Sequence, residues 1–153
     1  MSDLERVLSG IPFLEGLADK PIALLAQCAS EVQFKAGSRL LREGQPADLF
    51  YILTQGSVSI EVQGGARGPL LIQTIDQGEV LGWSWLVNPY VWHFDARAMV
   101  ATRAIAIDAN KLRAHCESNH EFGYEMLRRF VPIVVQRLEA ARMQLLDLFR
   151  VDS

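Results

Sequence analysis

The chain has 153 residues, half of them apolar and 22% charged, with a net charge of −3 and two cysteines. This composition excludes a disordered chain, and the length fits one globular domain with a core of its own. The small negative charge argues against a stand-alone nucleic-acid binder, and two distant cysteines argue against a disulfide framework. We therefore expect a soluble, cytoplasmic protein with no signal peptide, no membrane-spanning segment and reduced thiols.

Residues 1–30 are predicted to form helices. Gly10 and Pro12 interrupt a first short apolar face, and a second helix is expected to follow. Asp19 is predicted to be its N-cap, with Pro21 in its first turn.

Residues 31–108 change to a period of two, which is typical of β-strands. Val58, Ile60 and Val62 alternate with polar residues, and several further short apolar runs are separated by glycines. Many short strands at roughly 8–12-residue spacing indicate an antiparallel jelly roll or barrel. The predicted fold is therefore mainly β with flanking helices, built on a jelly-roll (double-stranded β-helix) barrel.

Residues 109–153 are predicted to be helical again. Asp108 and Asn119 are placed to cap two successive helices. Pro132 is expected to kink or restart the second one, because proline lacks the N–H and clashes with the preceding turn.

An apolar stripe follows in the last helix with steps of three and four residues: Val131, Val134, Leu138, Ala141, Leu145 and Leu148. Such spacing over about two and a half heptads favours packing on a second helix. We expect a homodimer through this helix, and packing of the stripe back onto the barrel is the alternative.

The stretch FKAGSRLLREGQPADLFYILTQGSVSIEV, residues 34–62, closely resembles the cyclic-nucleotide-binding domain of the catabolite activator protein and of cyclic-nucleotide-regulated kinases and channels. The likeness depends on Phe34, Gly37 and Gly44, on the aromatic and apolar run 50–53, and on Gly56. It extends over nearly the whole chain. It implies a non-enzymatic regulatory domain with N-terminal helices, a barrel over residues 31–108, and a C-terminal hinge and dimer helix.

The resemblance also implies a phosphate-binding cassette at residues 78–97, where Gly78 and Gly82 have the family's spacing. In the family, the second glycine starts a short helix whose N–H groups point at the cyclic phosphate. A glutamate directly after that glycine binds the ribose, and an arginine further along neutralises the phosphate. Here Trp83 follows Gly82, and no arginine occurs at residues 91–94.

The candidate ligand-binding residues are Gly82, Trp83, Ser84, Trp85, Leu86, Trp92 and His93. One hypothesis is a pocket adapted to a less charged or planar ligand that stacks on the aromatic rings. The alternative is a pocket filled by its own tryptophans, in a degenerate domain that serves only as a protein-interaction scaffold. A cyclic nucleotide remains a candidate ligand but is not implied.

His93, Asp95 and Arg97 alternate and are expected to share one strand face. They would form either a polar network that lines a ligand cavity, with His93 donating to an anion, or a solvent-facing stripe. No catalytic residue, metal site or certain cofactor is predicted, since nucleophile-plus-base pairs and phosphate loops are absent and His93 is the only histidine in the β segment.

The sequence stops at LLDLFRVDS, where transcription factors of this family continue into a helix-turn-helix. If that is the natural end, no direct DNA binding is expected, and the chain would act on a protein partner. A fragment of a larger regulator would have the same sequence.

Overall fold

A computed structural model describes residues 2–151 of the chain. Four α-helices flank two antiparallel sheets of four strands each. The helices are α1 (Asp3–Ser9), α2 (Asp19–Gln27), α3 (Ala109–Ser118) and α4 (His120–Val151). The strands are β1 (Ala29–Phe34), β2 (Arg39–Leu41), β3 (Leu49–Gln55), β4 (Ser57–Gln63), β5 (Pro69–Asp76), β6 (Val80–Leu81), β7 (Asp95–Ala98) and β8 (Thr102–Asp108). No helix among these residues is long and apolar enough to span a bilayer.

The strand orders β1-β8-β3-β6 and β2-β7-β4-β5 form an antiparallel jelly roll, which confirms the predicted fold class. The strands form two separate sheets rather than one closed barrel, and the consecutive strands β3 and β4 belong to different sheets. Gly56, between them, has φ +103°, and a Cβ there would lie 2.5 Å from Thr102 Oγ1. Only glycine therefore lets the chain turn from one sheet into the other at this point.

The helix boundaries confirm two predicted caps and correct two other predictions. Asp108 accepts a hydrogen bond from the Lys111 N–H (3.1 Å), and Asn119 accepts one from the Phe122 N–H (3.2 Å). The Asp19 prediction is wrong, since Ala18 is the N-cap of α2 and no side chain caps that end.

Of the two outcomes expected at Pro132, a kink or a restart, the restart is wrong, because α4 is continuous from His120 to Val151. Phe130, before the proline, is buried in the core, and Arg137, after it, is buried against the β-strands. Packing on both sides of Pro132 keeps the helix as one element despite the lost N–H.

The core lies between the sheets and the helices that cover their ends. Phe130 of α4 meets Phe50 edge to face at 5.1 Å between ring centroids, and Phe13 meets Phe130 at 5.0 Å. This aromatic group joins the N-terminal helices, strand β3 and α4 into one packed body.

Candidate ligand-binding site

The cassette-like segment begins with β6, which pairs with β3 through Tyr51–Leu81 and Ile52–Val80. Gly82 follows, and Ser84–Leu86 form a single 3₁₀ turn. Gly82 has φ +102°, and a Cβ there would lie 2.8 Å from two ring atoms of Trp92. Both the backbone conformation and the contact with the indole therefore require glycine.

Two tryptophans of the candidate site belong to the core. Trp85 is fully buried, stacked on Phe50 at 5.1 Å and edge to face with Phe130 at 5.2 Å. Trp92 is buried against Gly82. Ser84 is also fully buried, and its Oγ has no hydrogen-bond partner among the described residues. This part of the segment is packed in the way that the tryptophan-filled hypothesis expects.

The third tryptophan faces a cavity. Trp83 is half-buried and stacks on the exposed ring of His93, with 5.6 Å between centroids and 28° between planes. Both side chains line a cavity of about 510 Å³ between the β4–β5 hairpin and α4. The hairpin contributes a wall of aliphatic side chains: Ile60, Val62, Leu70 and Ile72. The segment thus has a core side, where Trp85 and Trp92 are packed, and a cavity side, where Trp83 and His93 line the cavity. The tryptophan-filled hypothesis describes the core side, and the ligand-pocket hypothesis describes the cavity side.

The apolar stripe of α4 forms the opposite wall of this cavity. Its members there are Val134, Leu138, Ala141, Leu145 and Leu148. The stripe therefore faces the hairpin, which is the alternative arrangement considered for it. Leu138 remains 66% exposed, however, and Val131 and Phe149 are also largely exposed on the same helix.

Arg137 is a site residue that the sequence did not single out. It is 8% exposed and lines the cavity. Its Nη1 donates to Gln73 Oε1 at 3.0 Å and its Nη2 to the Val80 carbonyl at 2.8 Å, while Nε has no partner in the described part of the chain. Burial lowers the pKa of Arg137 to about 10, although the nearby charge of Glu79 opposes this. The signal in the sequence that could have pointed to Arg137 is its position within an apolar stripe, between Val134 and Leu138.

Asp95 is buried but does not line the cavity. It accepts hydrogen bonds from the Glu43 N–H (2.8 Å) and Gln63 Nε2 (3.0 Å), and its carboxylate pairs with Arg39 at 3.4 Å. Burial alone would raise the pKa of Asp95, but these hydrogen bonds and the nearby arginines outweigh burial and hold it below its usual value. Asp95 therefore ties β7, at the end of the cassette, to its neighbours.

The expected common face of His93, Asp95 and Arg97 is divided in the structure. Only His93 lines the cavity, and it precedes β7. Arg97 instead approaches Glu61 at 3.8 Å. The regular strand begins only at Asp95, so His93 lies outside it and does not share its alternation. The polar contacts of Asp95 and Arg97 are therefore separate from the cavity wall.

The cassette is attached to α3 through Arg113. Its Nε donates to the Trp85 carbonyl at 2.9 Å, and its guanidinium lies 4.0 Å from the centroid of the Tyr90 ring. Because Phe130 of α4 also packs on Trp85, both C-terminal helices contact the same short segment. A displacement of the cassette would therefore reach both helices.

Neither a metal centre nor a reactive thiol is found in residues 2–151. No group of three or more His, Cys, Asp or Glu side chains there could hold a metal ion. Cys28 and Cys116 are free, and burial, with the charge of Glu117, raises the pKa of Cys116 to about 11. That thiol is consequently protonated at neutral pH and a poor nucleophile.

The antiparallel jelly roll, the glycine-framed cassette and the long C-terminal helix together define the class of regulatory domain to which the chain belongs. The chain belongs to the cyclic nucleotide-binding domain family, whose model matches residues 31–119. The match confirms the resemblance found in the sequence, and it classes the chain as a regulatory domain.

A transcriptional regulator and proteins named for cyclic nucleotide binding or for likeness to it are among the known proteins similar to this chain. A CRP-like cAMP-activated global transcriptional regulator of Mycobacterium tuberculosis is 25% identical over 97% of this chain, which spans 65% of that regulator's length. The crystal structure of a candidate cyclic nucleotide-binding protein from Geobacter metallireducens has a TM-score of 0.79 and 26% identity, covering 90% of this chain and 99% of that one. A cyclic nucleotide-binding-like protein from Brucella abortus has a TM-score of 0.61 and 30% identity, covering 76% and 99%.

Proposed function

We propose that the chain is a non-enzymatic sensor domain whose ligand is a small, largely apolar molecule bound between the cassette and α4. The observation that carries the proposal is the 510 Å³ cavity, walled by Trp83 and His93 on one side and mainly by aliphatic side chains on the others. This volume is within the usual range of ligand pockets, roughly 300–1,000 Å³, and an apolar lining is typical of them. The stacked Trp83–His93 pair favours a planar group in the ligand.

An ordinary cyclic nucleotide fits this site less well. Trp83 stands where the family has its ribose-binding glutamate, and the segment around Trp92 lacks the family's arginine. A hydrogen bond to a charged group contributes about 1.5–3 kcal/mol, so losing the arginine alone should weaken phosphate binding about ten- to a hundredfold. Trp92 also covers Gly82, the start of the family's phosphate cradle. These departures support a ligand other than cyclic AMP.

The proposed response is a population shift of the C-terminal helices. A ligand on Trp83 would favour one position of the cassette, and the cassette contacts α3 through Arg113 and α4 through Phe130. The junction at Asn119, between α3 and α4, is the proposed start of a hinge that extends towards Pro132. Movement there would change how α4 presents its exposed face to a partner.

The proposed partner at that face is a second copy of this chain. Leu127 and Val131 are 49% and 54% exposed on α4, and Phe149 is 67% exposed. Analytical ultracentrifugation should give a dimer for the unmodified chain and a monomer for Leu127→Glu/Val131→Glu. Val7→Glu, which places one such charge on an exposed apolar position of α1, is the control and should remain dimeric. A dimer that survives the double substitution would contradict the α4 interface.

A scaffold that binds no small molecule is the second candidate. The full burial of Trp85 and the contact of Trp92 with Gly82 favour it, since most of the cassette's aromatic volume is already used in packing.

Thermal-shift and calorimetric screening separates the two functions. The screen contains cyclic AMP, cyclic GMP and a set of planar apolar compounds, tested against the unmodified chain and against Trp83→Ala. The sensor proposal expects saturable stabilisation by one or more planar compounds, lost in Trp83→Ala. If no compound stabilises the unmodified chain, the scaffold is the better description.

A further inference from the structure

Two residues that line the cavity next to α4 have buried hydrogen-bond donors without a partner among the described residues, and one of the two is positively charged. Arg137 is more than nine-tenths buried, lines the cavity and has an Nε–H without an acceptor in the described residues. Trp83, on the opposite wall, also has a buried indole Nε1–H without a partner there. Both groups can only donate, so a molecule that completes their hydrogen bonding must bring acceptors.

Arg137 forms no contact ion pair with a described carboxylate, and only the nearby charge of Glu79 partly offsets its own. Its two hydrogen bonds go to uncharged acceptors, the Gln73 amide and the Val80 carbonyl. The ion pairs found among the described residues use other arginines: Arg39, Arg97, Arg128 and Arg129. No described residue lining the cavity is an aspartate or a glutamate. A buried, unpaired charge is costly, and proteins ordinarily provide a counter-charge for it.

The remaining surface of the cavity restricts the rest of the ligand. The hairpin wall and the α4 stripe are aliphatic, and Gln144, the other polar residue of the α4 wall, already donates its amide to the Leu71 carbonyl at 2.5 Å. A sugar or another polyhydroxylated group would lose its hydration there without finding partners. The anionic group must therefore be attached to an apolar body.

We infer that the ligand of this site is an amphipathic monocarboxylate, whose carboxylate pairs with Arg137 and whose apolar, preferably aromatic, body lies between Trp83 and the α4 stripe. The inference rests on the proposed function and names the chemical class of its ligand. Arg137 replaces the missing cassette arginine as the anion's partner, from the helix side of the cavity.

The test uses two probes of one shape, 2-naphthoate and its uncharged amide 2-naphthamide, titrated calorimetrically into the full chain at neutral pH. We expect 2-naphthoate to bind about ten- to a hundredfold more tightly than 2-naphthamide, since only the carboxylate forms a charged pair with Arg137. Equal affinities, or tighter binding of the amide, would overturn the inference while leaving an apolar-ligand sensor intact. Tighter binding of cyclic AMP than of 2-naphthoate would also overturn it, because the site would then be a nucleotide site.

Two substitutions locate the anion's partner. Arg137→Met should remove the preference for 2-naphthoate and leave 2-naphthamide affinity within about twofold, which also verifies that the variant folds. Arg137→Lys keeps the charge but not the forked geometry and should retain part of the preference. If Arg137→Met does not fold, Arg137→Lys carries the test, and an unchanged preference in a folded Arg137→Met contradicts the assignment. If 2-naphthoate, 2-naphthamide and the aliphatic probe decanoate all fail to bind the unmodified chain, the proposed sensor function fails with the inference.

Discussion

The core side of the cassette and its cavity side are built from similar residues with different surroundings. Trp85, on the core side, is fully buried between Phe50 and Phe130, while Trp83, two residues earlier, is half-buried and has only the exposed His93 ring stacked on it. The single 3₁₀ turn at Ser84–Leu86 separates them, because it sends neighbouring side chains in different directions. A cluster of aromatics in sequence can therefore contain both a packing element and a recognition surface.

The largest expected difference is in stability. Trp85→Ala should lower the free energy of unfolding by about 3–5 kcal/mol, because it opens a large cavity in the aromatic group around Phe130. Trp83→Ala, the matched control on the cavity side, should cost about 1 kcal/mol, most of it from the lost stack on His93. Urea unfolding followed by circular dichroism measures both. Similar costs for the two variants would mean that the two sides are not energetically distinct.

A second, smaller loss of stability is expected at Gly82, the glycine that Trp92 contacts on the core side. Gly82→Ala should cost about 2–4 kcal/mol, since it adds a Cβ that meets the Trp92 ring to the strain of a positive φ. Gly37 has φ +88° and nothing within 4 Å of the added Cβ, so Gly37→Ala reports the backbone strain alone, about 1–2 kcal/mol. The difference between the two unfolding free energies isolates the contact with Trp92. Equal costs would show that Trp92 moves aside freely and that the core side is loosely packed.

The fold was predictable because its signals are local. Alternation at Val58 and Ile60, glycine at the sheet-to-sheet turn of Gly56, and capping side chains at Asp108 and Asn119 each act within a few residues. The cap predicted at Asp19 and the restart predicted at Pro132 were wrong, since tertiary packing, not local chemistry, decided where α2 begins and whether α4 continues. The separation of the strands into two sheets could not be predicted either, because the sheet to which a strand belongs depends on contacts between distant strands.

The candidate site was only partly predictable. The cassette's position followed from Gly78 and Gly82, but nothing in the sequence distinguishes the environments of Trp83 and Trp85. Arg137 was missed because a lone arginine on a helix is usually solvated, and its burial results from α4 lying against β5 and β6. The cavity itself arises where the β4–β5 hairpin and the cassette meet α4, which is distant from both in sequence, so no local pattern records it.

The smallest predicted effect tests whether Asp95 belongs to the core side despite its nearness to His93. The folded-state pKa of Asp95 is lowered, so its stabilising contribution is present above the unfolded-state value near pH 4 and is lost as the pH falls through the folded-state value. Asp95→Asn should therefore cost about 1–2 kcal/mol at neutral pH and flatten the acid limb of unfolding free energy against pH. Asp147→Asn, an exposed carboxylate on α4, should follow the unmodified chain.

The same variant discriminates between the two sides of the cassette through binding. Asp95 contacts Glu43, Gln63 and Arg39 and does not line the cavity, so Asp95→Asn should leave 2-naphthoate affinity unchanged. A loss of affinity equal to that of Trp83→Ala would place Asp95 on the cavity side and join the two regions into one site. An acid limb as steep as that of the unmodified chain would instead show that other carboxylates set the acid sensitivity.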